Sequence, residues 1–190
     1  RPLRSRTKPT GATISANLAS NDVTYLSSNG AVMVGSGDIF VDDAITWSSG
    51  RTLTLSATRH IFVNQPIEGG TGGIVALRAD NGGSGNGTVS FGGGGHVTAN
   101  HTHIYYNPPT YSSPTDFSGS VTGSVTGWML VNSVGSEGDE LSGSHGLQAM
   151  ATNLSGHYAL GRSIDASFTA GWNGGAGFVP VGNDATPFSG

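Results

Sequence analysis

Asp38-Ile39-Phe40-Val41-Asp42 is answered 22 residues later by His60-Ile61-Phe62-Val63-Asn64, and Ile45 is answered by Ile67 at the same offset. The offset also carries Thr52-Leu53-Thr54-Leu55-Ser56-Ala57 onto Ile74-Val75-Ala76-Leu77-Arg78-Ala79. Two separate β-like runs therefore obey one period. A period near 20 residues holding short strands and turns is what one coil of a parallel β-helix requires, because such strands bury an apolar face only when the next coil stacks on it. Side chains alternate across a strand, so Ile39, Val41, Ile61, Val63, Leu53, Leu55, Val75 and Leu77 are expected as the inward stack, with Phe40 and Phe62 paired outside. Gly-rich punctuation at residues 35–37, 49–50, 69–73 and 92–95 supplies the turns. Asp42 and Asn64, equivalent positions just after a strand, form a small polar ladder in this reading.

Composition agrees with a turn-rich all-β chain. Of 190 residues, 32 are Gly and only 11% are charged, too much Gly for a helical protein and too little charge for ordinary disorder. There is no Cys, which excludes disulfides, thiolate metal sites and thiol nucleophiles. Arg1, Arg4, Arg6 and Lys8 crowd the first eight residues, leaving Arg51, Arg59, Arg78 and Arg162 against all 12 acidic residues. An acidic body offers nothing to neutralise phosphates, so nucleic acid is rejected as a partner. No apolar run approaches the roughly 20 residues of a membrane-spanning helix, and no secretion signal opens the chain.

These signals divide the chain into a basic disordered tail (1–11), parallel β-helix coils (12–107), a Pro/Ser-rich loop excursion projecting from the solenoid (108–126), and a β-rich continuation (127–190). The continuation carries a short helix near 147–154, where Leu147, Met150, Ala151 and Leu154 fall at helical spacing. Strand-like pieces follow at 158–160, 164–166 and 177–181. The fold class expected is all-β, a right-handed parallel β-helix of about 22 residues per coil.

Several phrases carry a family resemblance: Gly37-Asp38-Ile39-Phe40-Val41, Leu53-Thr54-Leu55-Ser56-Ala57, Ile74-Val75-Ala76-Leu77-Arg78-Ala79-Asp80-Asn81, Gly87-Thr88-Val89-Ser90-Phe91 and Ile104-Tyr105-Tyr106-Asn107-Pro108. The stretch they span resembles the central region of filamentous haemagglutinin-like exoproteins of two-partner secretion. The run from Asn153 to Gly182 looks like the lead-in to a GLUG-repeat region of such proteins. The resemblance implies an internal piece of a right-handed β-helical passenger, exported through an outer-membrane transporter and secreted or held at a bacterial cell surface. It implies adhesion to a host-cell glycan or protein receptor, and it transfers no catalytic residues and no cofactor. End-to-end self-association through open coil edges is a further expectation.

Residue chemistry leaves two alternatives. Asp42 and Asp43 are the carboxylates a polysaccharide-active β-helix enzyme would use, although neighbouring strand residues point to opposite faces. His96, His101 and His103 are the ligands a metal- or haem-binding exoprotein would use, since His-x-His on a strand puts both rings on one face. Tyr105, Tyr106 and Tyr111, near the excursion, are the candidates for stacking on sugar rings. No Gly-x-Ser-x-Gly elbow, phosphate loop or His-Glu-x-x-His occurs.

Overall fold

A computed structural model describes residues 8–27 and 36–190; most of the expected basic tail, and Gly35 of the first glycine turn, lie outside the described residues. The chain forms a parallel β-solenoid of about four turns. Its strands are β1 (Val23–Leu26), β2 (Ile39–Val41), β3 (Ile45–Thr46), β4 (Thr52–Ser56), β5 (Ile61–Val63), β6 (Ile67–Glu68), β7 (Ile74–Arg78), β8 (Val89–Phe91), β9 (Val97–Tyr106), β10 (Val121–Val131) and β11 (Tyr158–Leu160). All pair in parallel: β1-β4-β7-β9-β10-β11, with β3-β6 joining β9, make one sheet, and β2-β5-β8 the other.

The 22-residue offset is the coil in which Ile39 lies on Ile61, Ile45 on Ile67 and Leu53 on Val75. The next coil is longer, with Val89 on Ile61 and His101 on Ile74. The added residues sit in the corner after β7, where Asp80 (φ 50°), Gly83 and Gly85 turn the chain at positive φ. In the same coil the glycine corner of residues 69–73 has shrunk to Ala99-Asn100. Two short strands thereby fuse into β9, which pairs with β6 at one end and β7 at the other. β10 copies that path with a register shift at Gly123 (φ 105°).

The core is the predicted inward stack. Leu53, Ile61, Val63, Val75 and Leu77 are fully buried, and Val41 and Leu55 nearly so; Ile39, at the sheet edge, is half-buried. Each such aliphatic contributes about 1.5–3 kcal/mol by leaving water. Phe40 and Phe62 stack outside with centroids 4.9 Å apart and planes 12° from parallel, and Asn64 Nδ2 donates to Asp42 Oδ1 at 2.8 Å. Thr102 interrupts the apolar row, buried with no partner for its hydroxyl among the described residues.

Several expectations need correction. A helix, α1 (Gly11–Leu18), stands where the coils were expected to begin. Thr10 caps it by accepting from Thr13 N–H, Ile14 and Leu18, one turn apart, bury against the core, and the Ser15 hydroxyl accepts the Thr46 N–H of β3. Lys8, assigned to the solvated tail, pairs with Asp42 at 2.9 Å.

The helix expected at 147–154 is a 3-10 turn, Gln148–Thr152, while a four-residue helix, α2 (Asp139–Ser142), precedes it in the acidic stretch. The segments 164–166 and 177–181 are not strands. Instead, the Val179 backbone is bonded in both directions by the buried Gln148 amide, a side chain replacing a neighbouring strand.

The excursion is shorter than expected, since β10 begins at Val121, and it folds back onto the core. Tyr111 is 0% exposed and Phe117 6%, with Tyr106 and Phe117 edge to face at 4.9 Å.

Candidate binding face

On β9 the residues facing outward are His101, His103 and Tyr105, because Thr102, Ile104 and Tyr106 point into the core. Register carries this parity to both neighbours: Arg78 of β7 pairs with Tyr105, which pairs with Trp128 of β10. His157 precedes β11. The result is a ladder along the solenoid. The Arg78 guanidinium lies 5.5 Å from the Tyr105 ring centroid, Tyr105 and Trp128 are 6.1 Å apart with planes 13° from parallel, and Trp128 and His157 are 5.6 Å apart.

Beside the ladder, His101 and His103 stack at 4.3 Å. Trp128 Nε1–H donates to His103 Nδ1 at 3.2 Å, and His101 Nε2 shares a hydrogen bond with the Thr126 hydroxyl at 3.1 Å. Burial, helped by the neighbouring His101, lowers the pKa of His103 from its ordinary value, which favours the neutral ring whose Nδ1 accepts the indole bond. No Asp or Glu occurs in β1, β4, β7, β9, β10 or β11. In a chain with 12 carboxylates, the ionisable side chains of these six strands are Arg78, His101, His103 and tyrosines, and Glu68 of the same sheet lies on β6, across the Ala99-Asn100 corner.

Of the three tyrosines proposed to meet sugars, only Tyr105 is on this face. Tyr106 is 1% exposed, on the inward parity of β9, and its hydroxyl accepts the Thr115 N–H. The Tyr111 hydroxyl donates to Leu130 O at 2.8 Å and accepts Gly146 N–H; burial raises its pKa to about 12. Both are core tyrosines and unable to stack on a ligand.

The three histidines do not converge. His96 lies before β9, its Nδ1–H bonded to Gly94 O and its Nε2 4.0 Å from Glu68, while His101 and His103 stand beyond the Ala99-Asn100 corner. Among the described residues no group of three or more His, Asp or Glu could hold a metal ion.

Asp42 and Asp43 do not form an acid/base pair either. Asp42 is held by Asn64 and Lys8, which lower its pKa, and Asp43 Oδ2 accepts Gly11 N–H at 3.4 Å. An apolar cavity of about 430 Å³ lies beside them, lined by Ile14, Tyr25, Ile39 and Ile45 among others.

A second concavity, about 400 Å³, opens where β9 and β10 end. Its wall is a ladder of another kind. The fully buried Asp80 carboxylate accepts from Ser84 N–H and Oγ–H, Gly85 N–H and Asn107 Nδ2, and Asn132 Nδ2 reaches Asn107 Oδ1 at 2.8 Å.

No family model, no curated protein and no solved structure matches this chain. The residues that sequence reasoning missed are Arg78, Trp128, His157 and the Asp80-Asn107-Asn132 ladder. The parity of His101-x-His103-x-Tyr105 was a signal for the face. Its continuation to Trp128 required the register across the excursion, which no fixed period supplies.

Proposed function

We propose that this chain is an adhesive module, a rigid parallel β-solenoid segment that attaches a secreted or surface-held exoprotein to glycans of a host or neighbouring cell. The observation carrying this reading is the Arg78-Tyr105-Trp128-His157 ladder, on strands that carry no carboxylate. Offset parallel rings give a ribbed apolar strip running across successive coils, flanked by a guanidinium and by the Tyr105 hydroxyl. Sugar C–H surfaces pack on aromatic carbon while their hydroxyls bond the polar tips. Stacked coils make the support stiff, so the strip is preorganised. Export through an outer-membrane transporter belongs to the same proposal and rests on the resemblance of the stretch 38–108 to filamentous haemagglutinin-like passengers.

The proposed module is non-catalytic. A glycoside hydrolase needs one carboxyl kept protonated by a raised pKa, and Asp42 is shifted the opposite way. The deciding experiment is a glycan and extracellular-matrix array with the purified chain and its Trp128→Ala variant, alongside a polysaccharide-cleavage screen. Saturable binding without cleavage, weakened at least about tenfold by Trp128→Ala, is the expected result. Product release, or binding indifferent to Trp128→Ala, overturns it.

A further inference from the structure

We infer that the cleft at the ends of β9 and β10 is a second binding site that takes a single neutral sugar unit; the inference rests on the glycan reading above and adds a pocket to it. Segments far apart in sequence converge there: Gly83–Gly85, Asn107, Asn132–Ser133, His145–Gly146 and Arg162 line the same volume of about 400 Å³. That size falls in the range of small-molecule sites.

The walls are preorganised. Asp80 fixes the Asn107 amide, which fixes the Asn132 amide. His145 is held by Nε2–H donation to Pro108 O at 2.7 Å and by the Ser144 hydroxyl at its Nδ1. Gly83 packs so closely on Gly161 and Arg162 that a β-carbon at residue 83 would lie 2.8 Å from Arg162 Cβ, which locks the two rims together. Tyr111 and Leu130, both fully buried, support the cleft from behind. Against that fixed frame the Arg162 guanidinium and Ser133 hydroxyl, both exposed, have no hydrogen-bond partner among the described residues.

The chemistry selects a polyol over an anion. The buried Asp80 carboxylate lies behind the wall and opposes a sulfate or phosphate, and Arg162 is the one guanidinium among the lining residues. A sugar ring brings hydroxyls that both donate and accept, matching a rim that offers the Arg162 guanidinium as donor and the Ser133 hydroxyl as donor and acceptor. The cleft also adjoins the aromatic ladder, since Arg78 Nη2 reaches Gly161 O at 3.5 Å, next to Arg162. A glycan lying on the ladder would present its next residue to this pocket.

The test is saturation-transfer NMR and calorimetry with free glucose, galactose, mannose, N-acetylglucosamine and N-acetylgalactosamine, with inorganic sulfate and glucuronate as anionic controls. At least one neutral sugar is expected to bind saturably. Arg162→Ala should weaken it at least about tenfold and Ser133→Phe, which fills the mouth from an exposed position, should abolish it, whereas Trp128→Ala should change it less than about threefold. Thermal melts of each variant confirm that it folds. Binding of none of the neutral sugars, binding indifferent to both cleft variants, or binding of the anions alone overturns the inference. Array binding that Trp128→Ala removes and the cleft variants leave intact overturns the cleft while the adhesive reading stands; absence of array binding by the unmodified chain overturns the adhesive reading itself.

Discussion

Asp38 is the charge on which pH acts most directly. Its side chain is 4% exposed, its two oxygens accept Arg59 Nε at 2.8 Å and Nη2 at 2.6 Å, and Oδ1 also accepts His60 N–H. The Arg59 hydrogen bonds come first among the causes that hold its pKa far below the ordinary carboxylate value. A carboxyl depressed in the folded state stabilises fully above its unfolded pKa, roughly 4, and that contribution is lost as pH falls towards the folded value. The melting temperature of the unmodified chain should therefore decline below about pH 4. Asp38→Asn should melt lower at neutral pH and show a flatter acid limb, as circular dichroism melts between neutral and strongly acidic pH would record. Parallel limbs in the two proteins would mean that Asp38 carries none of the acid sensitivity. The Asp42-Asn64 ladder, read from one offset in the sequence, is a residue-scale feature the structure keeps; Lys8 joins it only because α1 brings the chain's start across Asp42.

Among the elements, the excursion between β9 and β10 departs furthest from its expected form. Breaker residues marked where it leaves the sheet, but its return to the core depends on Tyr111, whose hydroxyl donates to Leu130 O of β10 and accepts Gly146 N–H beyond α2. Asn153 Nδ2 also donates to Tyr111 O. One residue, through its hydroxyl and its backbone carbonyl, thus ties three segments of the last coil. Tyr111→Phe keeps the ring and strands a buried donor and acceptor, which costs about 1–3 kcal/mol; chemical denaturation of the two proteins measures it, and an unchanged midpoint would show that the hydroxyl is idle. Local periodicity also misled at 147–154. Four apolar residues at helical spacing are there, but Gln148 is drawn into the interior to pair with Val179, which a helix placing Leu147, Met150, Ala151 and Leu154 inward would not allow.

At the scale of the molecule, stability is shared between neighbouring coils, since each inward side chain packs against the one above and the one below. Leu77 lies between Leu55 and Ile104 in successive strands and is 0% exposed. Leu77→Ala should cost about 2–5 kcal/mol and, by loosening two coil interfaces at once, lower the unfolding midpoint reported by backbone dichroism and by tryptophan fluorescence together. A loss well under that range would mean the coils collapse onto the gap.

The sequence by itself determined the solenoid, its inward stack and the outward Phe40-Phe62 pair, because a repeated alternation of apolar residues at one offset has a single economical solution: the same strand stacked on itself. It also placed His101 and His103 on one face, by strand parity alone. Tertiary structure decided everything that depends on where the period breaks. The lengthened corner at Asp80–Gly87 and the folded excursion set which residue of β10 lies beside Tyr105, so they brought Trp128 and His157 into the ladder and drew Asn107, Asn132, His145 and Arg162 around one cleft. The physical reason is that coil stacking satisfies backbone hydrogen bonds only in register, whereas loops of unequal length between registered strands leave no periodic trace of where they return.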